Sequence, residues 1–147
     1  MNAVTINQPN RADSPATTIL VVDDNRMVTR ALSSLIRDAG YAPFACHSGA
    51  DALAFADGDE QPSAAVVDIH LPDINGLVLS QKLRDRFGPD TPIVVVSGDT
   101  SMETINSLPH AGATYFFSKP VNSAALVERL KQLVDGNGKA PSNGDCD

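Results

Sequence analysis

The feature that most constrains this chain is a set of short, unbroken apolar runs rich in β-branched residues. Thr18–Asp23 reads TILVVD, Ala64–Asp68 reads AAVVD and Pro92–Val96 reads PIVVV. A strand that is apolar at every position, and not at alternate ones, is expected to be covered on both faces. Covering both faces of a sheet takes helices on each side, an α/β arrangement with parallel strands.

Two further runs, Tyr41–Cys46 and Thr114–Ser118, complete a set of five predicted strands, and a helical pattern follows each. Asn25–Ala39 places Val28, Leu32, Leu35 and Ile36 on one face, with Gly40 as its stop. Ala50–Ala56 is a short helix ended by the DGDEQP turn. Gly76–Phe87 carries Leu77, Leu79 and Leu83 and closes at Gly88-Pro89. Ser123–Val134 carries Leu126, Leu130 and Leu133, with Asn122 as a cap and Val121 stapled against Leu126 across it. The remaining helix, Met102–His110, contains Pro109, which removes a donor and biases Leu108 away from helical angles. That helix is expected to be short or irregular. Short links and right-handed crossovers then give a parallel sheet with helices on both sides. The folded domain is expected over 17–135, with a flexible leader at 1–16 and a flexible polar tail at 136–147.

The net charge of −7 argues against a general nucleic-acid binder, which needs a basic surface to release counterions. No apolar run is long enough to cross a bilayer and no charged-then-apolar leader is present, so a cytoplasmic location with no membrane contact is expected. Cys46 reads as a core thiol and Cys146 as a tail thiol, which supports neither a disulfide framework nor a zinc site. His47, His70 and His110 lack the paired spacing of metal ligands.

Ligands of open parallel sheets bind outside the carboxyl ends of the strands. The first strand ends at Asp23-Asp24, the third at Asp68, the fourth at Ser97-Gly98-Asp99, and Lys119-Pro120 follows the fifth. Singly, each has a plain reading as a cap, a turn or a solvated loop. Together they bring three carboxylates, a hydroxyl and an ammonium to one sheet edge. Three neighbouring carboxylates repel, and a divalent cation removes the conflict. All-oxygen ligands suit Mg²⁺, and one carboxylate can then attack phosphorus in line. Glycine-rich phosphate loops, the Walker motif and the serine nucleophile elbow are all missing.

The segments ILVVDDN at 19–25, VVDIHLPDINGL at 66–77, VVVSGD at 94–99 and AGATYFFSKPV at 111–121 resemble the response-regulator receiver domain. The resemblance covers about residues 17–135. It implies a three-layer (βα)5 flavodoxin-like sandwich with strand order 2-1-3-4-5. It also implies a phosphoacceptor at Asp68, with Mg²⁺ bound by Asp23, Asp24, Asp68 and the backbone carbonyl of His70. Ser97 would be the switch hydroxyl, Lys119 a contact to the phosphoryl oxygens, and Phe116 the switch aromatic. Pro120 would follow a cis bond. Ser97 stands where threonine is commoner, Phe116 has no phenolic hydroxyl, and Pro109 is unusual in the fourth helix. His70 and Asp99 would flank the phosphorylation site and tune phosphoryl lifetime.

No second folded segment is expected after Asp135, so the chain reads as a stand-alone receiver that acts by protein contact. It would catalyse its own phosphorylation and dephosphorylation without being an enzyme in the usual sense. The donor would be a histidine kinase or a histidine phosphotransfer protein. The target would bind the face of the fourth helix, fifth strand and fifth helix, with the protein a monomer or a phosphorylation-dependent dimer. A relay intermediate and a receiver excised from a hybrid histidine kinase are the alternatives. An aspartyl-phosphate phosphatase is disfavoured, because its D-x-D signature would follow the first strand, which here ends in D-D-N.

Overall fold

The computed structural model describes residues 17–135, so the expected leader, the expected tail and Cys146 lie outside the described residues. Five strands and five helices alternate. They are β1 (Thr18–Val22), α1 (Arg26–Asp38), β2 (Ala42–Cys46), α2 (Gly49–Asp57), β3 (Ala64–Asp68), α3 (Gly76–Phe87), β4 (Ile93–Ser97), α4 (Met102–Ser107), β5 (Tyr115–Ser118) and α5 (Ser123–Asp135). All pairings are parallel and the sheet order is β2-β1-β3-β4-β5. This is the flavodoxin-like architecture.

Successive side chains of a strand point to opposite faces, so each central strand feeds two cores. Leu20, Val22, Val67 and Val95 pack with Phe55, Leu79, Leu83 and Phe87 on the side of α2 and α3. Ile19, Val21, Val66, Val94 and Val96 pack with Leu32, Ile36, Leu126 and Leu130 on the side of α1 and α5. Each fully buried Val, Leu or Ile contributes about 1.5–3 kcal/mol relative to exposure.

Burial on both faces holds for β1, β3 and β4, every residue of which is buried. It fails for β2 and β5. Phe44 is 44% exposed and Tyr115 37% exposed. The reason is position: these are the two margins of the sheet, where the flanking helices run out.

Caps and stops follow the local chemistry. Asn25 accepts from the N–H groups of Met27 and Val28 and caps α1. Gly40 sits at φ +98° just beyond it, the left-handed geometry that glycine takes without penalty. Asn122 accepts from the N–H of Ala125 at 3.0 Å, and Val121 and Leu126 join the same core. The Tyr41 hydroxyl donates to Asp135 at 2.9 Å and ties the end of α5 to the start of β2.

The fourth helix is short, six residues, as expected, but one of the two expected reasons does not hold. Leu108 keeps helical angles at φ −58° and ψ −46° despite preceding Pro109. Its N–H reaches Ile105, and the N–H of Ala111 reaches back to Ser107 and Leu108, so tight turns carry the chain through Pro109. The preference of a residue before proline is outweighed here by these bonds.

Candidate functional site

The carboxyl ends of β1 and β3 place Asp23 and Asp68 side by side, because Val22 pairs with Val67 in register. Asp23 is 4% exposed and Asp68 2% exposed, while Asp24 is exposed. One carboxylate oxygen from each of the three lies within 4.8 Å of the others. The loop after β5 brings Lys119 over them. Its Nζ stands 3.3 Å from Asp68 Oδ1 and 3.7 Å from Asp23 Oδ2. Lys119 is anchored by its own N–H, which donates to the Ser97 carbonyl at 2.9 Å, and the Lys119–Pro120 bond is cis.

The electrostatics are unbalanced. Burial raises the Asp23 carboxyl above its ordinary value, and the Asp68 and Asp24 charges push the same way. The N–H of Asn25, donating to Asp23 Oδ1 at 2.9 Å, and the Lys119 ammonium pull in the opposite direction. One ammonium faces three carboxylates, so a cation with oxygen ligands fits the chemistry of this donor set.

The backbone around Asp68 is shaped by Gly76. The N–H of Gly76 donates to the Ile69 carbonyl at 2.7 Å. A Cβ built on Gly76 would lie 2.2 Å from the Asp68 carbonyl oxygen and 2.5 Å from Ile69 Cα. Gly76, eight positions after Asp68, therefore lets α3 start directly against the backbone of Asp68.

Ser97 is fully buried and its Oγ accepts from the N–H of Asp99 at 2.9 Å. Val95 pairs with Phe116 across the sheet and Ser97 with Ser118, so Ser97 and Phe116 lie on the same sheet face. Asp99 also has a structural part that the sequence does not show. Its carboxylate accepts from the N–H of Ser101 at 2.9 Å and from the Thr104 hydroxyl at 2.8 Å, and so organises the loop into α4. These bonds, with the nearby His70, hold it below the usual carboxylate range. The N–H of His70 donates to Asp68 Oδ1 at 3.4 Å, and the residue is exposed.

Asp73 was not singled out by sequence reasoning. It accepts from the N–H groups of Gly49 and Ala50, each at 2.9 Å, and so caps α2 from a distant loop. The sign of its pH effect follows from the direction of its shift, which is downward through these two bonds. A carboxyl depressed in the folded state stabilises above its unfolded value and loses that contribution as pH falls through the folded one. Asp73→Ala is expected to lower the thermal midpoint at neutral pH, and the gap to wild type should narrow once the pH is taken below 3.8. Paired melting curves at the two pH values check this, and a gap that widened on acidification would contradict it.

A cavity of about 510 Å³ adjoins the acidic cluster between α1 and α5 and is lined by Val28, Leu32, Pro120, Val121 and Leu126 besides Asp23, Asp68 and Lys119. Among the described residues no helix is long and apolar enough to cross a membrane.

Known proteins share this frame. The family model of the response regulator receiver domain matches residues 19–131. The sensory/regulatory protein RpfC of Xanthomonas campestris pv. campestris is 34% identical over 128 residues, covering 85% of this chain and 18% of RpfC. The response regulator MprA of Mycobacterium avium is 35% identical over 117 residues, covering 79% of this chain and 50% of MprA. The chain thus spans half or less of the length of these relatives. Among solved structures, a CheY-like receiver domain protein from Methanospirillum hungatei superposes with a TM-score of 0.78 at 29% identity, covering 85% of this chain and 98% of that one. The chemotaxis protein CheY4 of Vibrio cholerae gives 0.73 at 26% identity, with 81% and 99% covered. With this match spanning both cores and the acidic edge, the chain belongs to the response regulator receiver domain family.

Proposed function

We propose that Asp68 accepts a phosphoryl group from a histidine kinase or a histidine phosphotransfer protein and that the modification changes the protein's contacts with a target. Receiver domains are phosphoacceptor switches and not enzymes in the usual sense. The observation that carries the reading is the buried Asp68 carboxylate held under the Lys119 ammonium at 3.3 Å, beside two further carboxylates.

Asp23, Asp24 and Asp68, with the backbone carbonyl of His70, would hold a Mg²⁺ ion. Bound there, the ion supplies charge neutralisation for the oxygens of the transferring phosphoryl group. Asp68 attacks phosphorus with a carboxylate lone pair. The new bond is Asp68 O–P, and the bond to the donor breaks, its electron pair leaving with the donor nitrogen, or with the oxygen of acetate when acetyl phosphate is used. Asp68 Oδ1 is engaged by Lys119 and the N–H of His70, which fixes the carboxylate for attack through Oδ2. Lys119, already held against Asp68 Oδ1, would meet the charge that develops on a phosphoryl oxygen.

The Ser97 hydroxyl accepts from Asp99 and still has its own proton to give. Donating it to a phosphoryl oxygen would draw the loop after β4 toward Asp68. Phe116, on the same face, would follow by packing, since it has no hydroxyl of its own. The surface altered is that of α4, β5 and α5, where Met102 is 70% exposed and the Arg129 guanidinium lies 4.4 Å over the Tyr115 ring. This is a shift between two populated states driven by contacts present in only one.

The test compares wild type with Ser97→Ala by amide NMR during treatment with acetyl phosphate and Mg²⁺. Both proteins are expected to take up one phosphoryl group. Wild type should show large shifts from Gly98 through Thr104 and at Phe116, and the variant should show them only near Asp68. Equal shifts in both would refute the switch. A wild type that binds Mg²⁺ yet takes up no phosphoryl group from any donor would refute the phosphoacceptor reading.

A further inference from the structure

We propose that the groove between α1 and the free margin of β2 docks an extended, acidic segment of a partner protein. The groove has a volume of about 230 Å³ and is lined by Arg26, Thr29, Arg30, Ser33, Arg37 and His47. It lies on the flank of α1 away from α5, so it is separate from the cavity beside Asp68 and does not depend on the phosphoacceptor reading.

Residues 26, 29, 30, 33 and 37 recur at three- and four-residue steps and form one stripe along the helix. Arg26, Arg30 and Arg37 are all exposed. None has a carboxylate within ion-pairing distance among the described residues, on a chain with a net charge of −7. Three unpaired guanidinium groups side by side repel one another, and an external anion relieves that cost.

The floor of the groove is polar. Thr29 and Ser33 are 2% and 7% exposed. Arg26 donates to His47 Nδ1 at 3.3 Å, which puts the ring proton on Nε2, 3.0 Å from the Thr29 hydroxyl. That chain of bonds fixes Arg26 beside the groove. The Ser33 hydroxyl, between Arg30 and Arg37, has no hydrogen-bond partner among the described residues. It opens onto the groove, where an entering acceptor can take its proton.

The shape selects an extended chain over a compact anion. Arg26 and Arg37 are eleven positions apart, about 16 Å along a helix, or about five residues of extended peptide. One phosphate cannot bridge that length. β2 supplies the other wall. It pairs only with β1, using the N–H of Ala42 and the carbonyl of Cys46. The alternation of a parallel ladder then turns the N–H and carbonyl of Ala45 outward to meet an extended segment, while Pro43, the other outward residue of β2, offers only its carbonyl. Asp or Glu side chains of that strand would meet the arginines as bidentate pairs.

The test uses a fluorescein-labelled hexaglutamate peptide, with hexaglutamine and inorganic phosphate as comparators, read by anisotropy and by amide NMR. Hexaglutamate is expected to shift residues 26–37 and 45–47, to weaken with added salt, and to bind far better than hexaglutamine. Arg30→Ala with Arg37→Ala should lower its affinity on the order of tenfold or more, with an unchanged melting midpoint and unchanged phosphoryl uptake. Lys82→Ala with Lys131→Ala, which removes the same charge elsewhere, should leave binding intact. The proposal is overturned by equal loss in both double variants, by shifts elsewhere on the surface, by equal binding of hexaglutamine, or by binding of inorganic phosphate alone.

Discussion

Gly76→Ala is expected to destabilise the protein on the order of 3 kcal/mol and to lower the melting midpoint by about 10 °C. The added methyl would lie 2.2 Å from the Asp68 carbonyl oxygen, 2.5 Å from Ile69 Cα and 2.8 Å from the Asp68 carbonyl carbon. All three atoms are backbone, so no side-chain rotation relieves the clash. The start of α3 must move away, and the 2.7 Å bond from Gly76 N–H to Ile69 is lost with it. Alanine is the better helix former by about 1 kcal/mol, which is too little to offset the clash. Because the displaced backbone carries Asp68, phosphoryl uptake should fall as well. Gly40→Ala is the control. It sits at φ +98° with nothing within 4 Å of a built Cβ, so it should cost only about 1 kcal/mol of backbone strain and leave uptake unchanged. Denaturant unfolding of both variants checks the contrast. Equal costs would mean that the close approach to Asp68 is not what requires glycine at position 76.

Lys119→Ala is expected to slow phosphoryl uptake from acetyl phosphate by on the order of 10²–10³-fold, the usual effect of removing one preorganised charge from a transferring group. The lysine is held in place before the reaction, by its N–H bond to Ser97 and by its two carboxylate contacts. Its loss removes the only cation that the described residues place within 4 Å of Asp23 or Asp68. Three carboxylates would then face one another uncompensated, so the variant should need more Mg²⁺ to be modified and should gain more stability from added Mg²⁺ than wild type does. Rates followed by intact mass across a Mg²⁺ series separate the two effects. An unchanged rate at saturating Mg²⁺ would show that the ammonium serves only the resting state.

The central strands and the acidic edge were legible because the information is local. An unbroken apolar run declares a buried strand, and the residue at its carboxyl end is carried to the sheet edge by topology alone. That placed Asp23, Asp68, Ser97 and Lys119 before any distance was known. Features with distant partners were not legible. Asp73 caps a helix that begins 24 positions earlier in the chain. Arg84 donates to the carbonyls of Gly88, Thr91 and Gly112 at 2.6–2.7 Å and fastens α3 to the loop before β5, yet nothing in the helical spacing marks it. The exposure of β2 and β5 depends on strand order, which hydrophobic runs do not contain. The bonds of Asp99 to the Ser101 N–H and the Thr104 hydroxyl were not legible either, because they depend on how the loop into α4 folds.

The most direct measurement is phosphoryl incorporation from acetyl phosphate, read by intact mass, on wild type and Asp68→Asn with and without Mg²⁺. One added phosphoryl group in wild type with Mg²⁺, and none in either protein without it or in Asp68→Asn at all, is the predicted result. Incorporation that persists in folded Asp68→Asn, or that proceeds equally without Mg²⁺, would contradict the assignment of Asp68 and its neighbouring carboxylates.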